Sequence, residues 1–283
     1  MLRADALDLI VKLALREDIG HKDITTASLF EENFHIRAEI EAKEAGILCG
    51  MEVVERVFRT MDENLRFLPV AKDGEELEPG REIAYIDGSA RSILSGERTA
   101  LNFLGRLSGI ATLTRQFVDK TKGTKAKILD TRKTTPNLRF LEKYAVATGG
   151  GVNHRIGLYD QVLIKDNHLR ILKDKSIPDI VKSARAGNLK NTVIGIEVKN
   201  LKELAEALKT KVNYILLDNM EPETIKECVK LREKTGVKID FEVSGGVQLE
   251  NVREYAQTGV ERISIGAITH SAPCLDVSLD IVG

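Results

Sequence analysis

Cysteine is scarce in this chain: three residues among 283, at Cys49, Cys228 and Cys274. An odd number at such wide spacing makes neither a disulfide framework nor a zinc site, and fits a reducing compartment. Long apolar runs are missing too. None approaches the ~18 residues of a membrane span. The opening MLRADALDLIVKLALRED carries acids within its apolar stretch, unlike a signal peptide. There is no surplus of one charge: 42 basic and 43 acidic residues give a net charge of −1. That excludes the strongly basic surface of a typical nucleic-acid binder but not a local basic pocket. GxxxxGK(S/T), HExxH and GxSxG are absent, and GGGVNHR (149–155) lacks the spacing of a dinucleotide fingerprint. No repeat, low-complexity tract or long linker is visible. With 42% hydrophobic and 30% charged residues, the chain reads as a cytoplasmic globular protein long enough to bury a substantial core.

Two rhythms divide it. Up to about residue 122 the pattern mixes helices and half-buried strands, predicting an α+β layer domain. Ala6, Leu9, Ile10, Leu13 and Ala14 fall at helical spacing, and Met51 to Met61 is helical again. Ile36, Ala38, Ile40 and Ala42 alternate with charged neighbours, as in a strand with one dry face. LRFLPV (65–70) and REIAYI (81–86) also read as strands. Ser89 to Lys122 is helical but carries Gly96, Gly105 and Gly109. Those glycines predict two helices broken near Ser108-Gly109, with close packing where they lie.

Beyond Lys125, short apolar runs end in polar residues near 130, 164, 198, 217, 243 and 265, with helices between the later ones. Continuous apolar strands suit a parallel sheet covered on both faces. Six such units, with a seventh hidden before Asp130 or near Arg170, predict a (β/α) barrel, complete or one strand short. An open doubly wound sheet is the alternative. In parallel folds the chemistry gathers at the carboxyl ends of the strands. Those ends supply Arg132, Lys133, Lys165, Asp166, His168, Glu197, Lys199, Asp218, Asn219, Ser244-Gly245-Gly246 and Gly266, with Asn153, His154 and Arg155 on a separate segment. Many cations, two isolated carboxylates and a glycine-rich end suit a polyanionic ligand. Each feature has a plainer reading as well. SGG (244–246) is a phosphate cradle or a tight βα turn, and Ser264 and Gly266 on the next strand favour phosphate. Glu197 and Asp218 hold Mg²⁺ or ribose hydroxyls, stabilise positive charge, or make a structural ion pair. Lys165 is a cap, an ion-pair partner or a Schiff-base lysine. His154 packs under a loop or acts on a ligand, and TRKTT (131–135) is a basic pocket edge or a solvated loop.

These segments resemble the quinolinate phosphoribosyltransferases. The matching stretches are REDIGHKDITT (16–26), ERTALNFLGRLSGIAT (97–112), ILDTRKTTPNLR (128–139), EKYAVATGGGVNHRIGLYDQVLIKDNH (142–168), the Glu197 and LLDN strand ends, EVSGGV (242–247) and SIGAITHSAP (264–273). The resemblance implies an incomplete (β/α) barrel of TIM-like type at 111–270. An N-terminal α+β sandwich domain at 1–110 would be rejoined by the tail 271–283. It implies conversion of quinolinate and phosphoribosyl pyrophosphate to nicotinate mononucleotide, pyrophosphate and CO₂ in de novo NAD synthesis, with Mg²⁺ and no organic cofactor. Arg98, Arg132, His154, Arg155 and Lys165 would cradle quinolinate. Lys133, Thr134, Glu197, Asp218, Ser244, Gly245, Gly246, Ser264, Gly266 and His270 would take the sugar donor. Glu197 and Asp218 would face Mg²⁺, with Lys165, Glu197 and Asp218 catalytic. A homodimer with Arg98 donated across the interface is implied, and a hexamer of dimers is open. No nucleic acid or membrane partner is expected. A molybdenum-associated paralogue of the same fold and a Schiff-base aldolase using Lys165 are the competing readings. Lys22, Asn137, Thr148 and Cys274 depart from the usual family pattern, which bears on loop shape, above all at Asn137.

Overall fold

The computed structural model describes residues 4–282. In chain order the elements begin α1 (Ala4–Ile19), α2 (Ile24–Leu29), β1 (His35–Ala42), β2 (Gly46–Ile47), α3 (Met51–Met61), β3 (Arg66–Pro69), β4 (Glu76–Leu77), β5 (Glu82–Ser89) and α4 (Ala90–Lys120). They continue with β6 (Lys127–Leu129), α5 (Arg139–Thr148), β7 (Val162–Ile164), α6 (Asp166–Ile171), α7 (Ile177–Ala186), β8 (Ile194–Val198), α8 (Leu201–Ala207) and β9 (Tyr214–Asp218). Last come α9 (Pro222–Thr235), β10 (Asp240–Ser244), α10 (Val252–Gln257), β11 (Arg262–Ser264), α11 (Ala267–His270) and β12 (Val277–Ile281). Two compact units form. One comprises 1–115, 134–150 and 268–283; the other comprises 116–133 and 151–267.

The first unit carries a four-stranded sheet in the order β12-β1-β5-β3, all antiparallel. The C-terminal strand closes one edge by pairing Ala38 with Ile281 through Ala42 with Val277. Alternation in β1 buries Ala38, Ile40 and Ala42. Helix α1 packs on α3 through Leu7, Val11 and Leu15. This corrects the stripe read from the sequence, because Leu9 and Leu13 are 59% and 57% exposed. The helix has apolar residues on two faces, and α3 takes only one of them.

A second correction concerns α4, which is one continuous helix of 31 residues with no break at Ser108-Gly109. Its glycines serve close packing instead. A Cβ on Gly105 would lie 2.7 Å from the Leu275 carbonyl oxygen, and one on Gly109 would overlap that of Pro273. The C-terminal segment therefore lies directly on the helix backbone. Ser108 accepts the Cys49 N–H at 2.9 Å and is fully buried.

The second unit is the α/β layer. Six parallel strands run in the order β6-β11-β10-β9-β8-β7, and all six are the apolar runs read from the sequence. A parallel bridge from Leu129 to Val152 adds one more contact outside β6. The sheet is thus an incomplete TIM-like barrel. The hidden strand is a single bridge at Val152, neither before Asp130 nor near Arg170, where α6 lies. Among the described residues no helix is long and apolar enough to cross a membrane.

Candidate active site

Register brings the strand ends into line. Ser244 is the partner of Asp218 on one side and of Ser264 on the other, and Ser264 is the partner of Leu129. One layer deeper, Leu216 is flanked by Glu197 and Glu242, and Glu242 by Arg262. Parallel partners share a face, so these side chains project to one side of the sheet.

Lys165 caps the short helix α6 and is half exposed, with Nζ 3.6 Å from Glu197 Oε2. Glu197 is almost fully buried. Burial, and then the field of Asp218, push its carboxyl above the usual range, against the pull of Lys165. Asp218 accepts a 2.9 Å hydrogen bond from the Asn219 side chain. Asn219 itself is left-handed, with φ 52°. Alongside, Lys199 pairs with Asp166 at 2.8 Å, which raises the lysine and lowers the acid.

Beside this acid pair lies a cationic one. Arg155 is buried and donates to the Gln161 carbonyl at 3.2 Å. Burial and then repulsion from the like charge of Arg132 lower its pKa. An anion between like charges relieves that repulsion. His154 is buried beside Arg155, its backbone N–H held by Asp130 at 2.8 Å. After Ser244, Gly245 and Gly246 have φ of 92° and 67°. A Cβ at Gly245 would overlap the Asn219 side chain. Left-handed backbone at both positions makes a tight turn that glycine adopts without strain. Ser264 is buried and donates to the Val243 carbonyl at 3.3 Å, and Gly266 follows at the end of β11.

The first unit carries the remaining sequence-derived residues. Arg98 is an exposed side chain on α4, 3.9 Å from Glu97. Thr134 accepts from Arg139 at 3.0 Å, and Lys133 at the end of the other unit is exposed with its N–H on Thr131 Oγ1. His270 is exposed, with Nδ1 2.6 Å from Ser271 Oγ. The Thr134-Thr135 turn is anchored by Glu142, which is fully buried. It accepts from Thr135 at 2.8 and 3.1 Å and from Arg106 at 2.7 Å. Asn137, where the family resemblance favours glycine, is left-handed with φ 66°. Asparagine is among the side chains that tolerate that conformation, so the loop keeps its shape.

Sequence reading passed over Glu242, Arg262 and Tyr214. Glu242 is fully buried, with Oε2 2.9 Å from Arg262 Nε, and Arg262 stacks 4.5 Å over the Tyr214 ring. The available signal was the period of two: Glu242 precedes Ser244, and Arg262 precedes Ser264, by one same-face step.

Two family models match the chain: "Quinolinate phosphoribosyl transferase, N-terminal domain" over residues 23–108 and "Quinolinate phosphoribosyl transferase, C-terminal domain" over residues 110–280. The chain belongs to the quinolinate phosphoribosyl transferase family. It is 45% identical over 267 residues to a probable nicotinate-nucleotide pyrophosphorylase (carboxylating) of Bacillus subtilis, covering 94% of this chain and 90% of that one. A protein of the same description from Methanocaldococcus jannaschii is 43% identical, covering 100% and 99%. Among solved structures, the nicotinate-nucleotide pyrophosphorylase of Francisella tularensis superposes with a TM-score of 0.92 at 38% identity, over 100% of this chain and 98% of that one.

Proposed function

We propose that this chain transfers a phosphoribosyl group to quinolinate with loss of CO₂, forming nicotinate mononucleotide and pyrophosphate. The observation that carries the reading is the meeting of Lys165, Glu197 and Asp218 at neighbouring strand ends, where a buried acid feels both a cation and a second acid. Arg132, Arg155 and Lys165 receive the two carboxylates of quinolinate, whose planar geometry matches guanidinium forks. His154 belongs to the same cradle. Lys133, Thr134, Ser244, Gly245, Gly246, Ser264, Gly266 and His270 take the phosphates of the sugar donor. Glu197 and Asp218 face the ribose carbon, where departure of pyrophosphate leaves an oxocarbenium-like centre that carboxylates stabilise. Attack by the pyridine nitrogen makes that nitrogen quaternary. The positive ring then accepts the electron pair left behind when the adjacent 2-carboxylate departs as CO₂. The substrate is its own electron sink.

Among the described residues no group of three or more His, Cys, Asp or Glu side chains is arranged to hold a metal ion. Two oxygen-donor acids whose mutual repulsion is only partly offset by Lys165 nevertheless fit Mg²⁺ completed by substrate oxygens. Glu197 and Asp218 would hold it, and it would supply charge neutralisation for the leaving pyrophosphate.

The proposal extends to assembly: a homodimer in which exposed Arg98 completes the partner's quinolinate site, able to build a hexamer of dimers. The boundaries 1–110 with 271–283, and 111–270, remain the proposed functional domains. The deciding experiment measures ¹⁴CO₂ released from carboxyl-labelled quinolinate with and without phosphoribosyl pyrophosphate. Release only with the sugar donor is expected; none, or release without it, overturns the reading.

A further inference from the structure

Contacts within its own unit limit what the His154 ring can do. Its Nδ1 accepts the backbone N–H of Arg155 at 2.7 Å, so that nitrogen carries no proton. The ring proton is then on Nε2, which lies 3.2 Å from Glu242 Oε1 and 3.3 Å from the Tyr214 hydroxyl. Glu242 is fully buried on β10, and its second oxygen lies against Arg262. Both Glu242 oxygens are buried and meet these neighbours as close ion-pair approaches. A carboxylate beside Nε2 favours the proton on that nitrogen and leaves Nδ1 as an acceptor.

Building on the proposed function, we infer that Glu242 is a positioning residue for quinolinate: it fixes the His154 tautomer, through which the ring holds the Arg155 backbone and with it the placement of the Arg155 guanidinium. The chain of contacts runs Arg262, Glu242, His154 and the Arg155 N–H, all within one compact unit. Neither ring nitrogen of His154 is then available to donate to the substrate. His154 acts on quinolinate through Arg155.

The placement makes a specific demand of Glu242→Gln. The amide has one acceptor and one donor end. If its oxygen turns to Arg262, its NH₂ opposes Nε2–H and drives the ring to the other tautomer, which cannot accept from Arg155. If it turns the other way, the NH₂ opposes Arg262. Arg262 has no acceptor to offer that NH₂ whereas the ring can switch tautomer, so the first orientation prevails and loosens the Arg155 backbone.

Two measurements on the full-length enzyme test this. In ¹⁵N-histidine-labelled wild-type protein, with the His154 signals assigned by their loss in His154→Gln, the ring nitrogens should report a proton on Nε2 and none on Nδ1. A proton on Nδ1 overturns the inference without any Glu242 variant being needed. In Glu242→Gln, the quinolinate KM should rise about tenfold or more while the KM for phosphoribosyl pyrophosphate changes less than about twofold, the size expected from losing one hydrogen bond to a charged-group network. A parallel rise in both KM values, or a fall in kcat alone, means a merely structural role and overturns it. Combining Glu242→Gln with His154→Gln should add little to the KM of either single variant, whereas additive effects place Glu242 outside the His154 pathway. Quinolinate turnover by the wild type is measured first; its absence overturns the functional reading, and the inference resting on it, by a result distinct from every one above.

Discussion

Glu197 occupies surroundings that oppose its own charge. Burial and Asp218 both hold its carboxyl above the ordinary 4.5, and Lys165 answers only in part. A carboxyl raised on folding binds its proton more tightly in the folded chain than in the unfolded one. Its contribution to stability therefore falls as pH rises from the ordinary value through the raised one. Wherever the acid is ionised it costs the fold stability, a cost that its proposed role at the ribosyl centre would justify. Glu197→Gln is accordingly expected to melt at pH 7 no lower than the wild type while losing on the order of 100-fold or more in kcat. Thermal melts and steady-state kinetics on the same preparation check this; a lower melting temperature would show the Lys165 pair outweighing the burial. Asp218→Asn should likewise lose kcat rather than quinolinate affinity. The Arg132 and Arg155 pair sets a different expectation. If the proposed cradle receives two carboxylates, nicotinate supplies only one of them, so nicotinate should be used with kcat/KM lower by on the order of 10³-fold or more. Comparable turnover of the two acids would break that assignment.

At the scale of elements, α4 is decided by what lies on it. Local propensity counts each interior glycine as a cost of about 1 kcal/mol relative to alanine. Packing reverses the sign at Gly109, where a Cβ would overlap the Pro273 carbonyl, a backbone group with no freedom to swing away. Gly109→Ala should therefore destabilise by a net of about 1–2 kcal/mol despite its better helix propensity. Gly187 gives the contrast. It follows α7 with φ −83°, and a Cβ there would meet only the Ser183 oxygen at 3.6 Å. Gly187→Ala should be neutral or stabilising by a few tenths of a kcal/mol. Urea denaturation of the two variants separates the cases, and equal effects would contradict the packing account. The same principle governs α1. Its two apolar faces are equivalent in sequence, and only the presence of α3 makes Leu7, Val11 and Leu15 the buried set.

At the scale of the whole molecule, the proposed exchange of Arg98 between subunits makes activity a property of the dimer. Arg98→Ala and Lys165→Ala should each be nearly inactive. A mixed dimer concentrates both lesions in one site and leaves the other intact. Random exchange makes half the dimers mixed, so roughly a quarter of all sites recover. Activity of the exchanged mixture should climb toward that fraction of wild type. A flat response, with exchange verified by a tagged subunit, would place the action of Arg98 within its own chain.

The six barrel strands were legible because a parallel sheet covered on both faces needs uninterrupted apolar runs, and the polar residues at their ends mark the candidate site. Lys165, Glu197, Asp218 and the Ser244-Gly245-Gly246 turn could be named from that pattern alone. The seventh strand position could not, because a single bridge at Val152 has too few residues to show a period. Nor could the buried network of Glu242, Arg262, Tyr214 and His154, whose members are scattered from 154 to 262 and meet only when the strands align. Sequence by itself determined the element types, the strand ends and the charge inventory, because these depend on local periodicity and composition. The tertiary structure alone decided which helix face is buried, that α4 runs unbroken, and which charges touch, because those outcomes depend on partners distant in the chain.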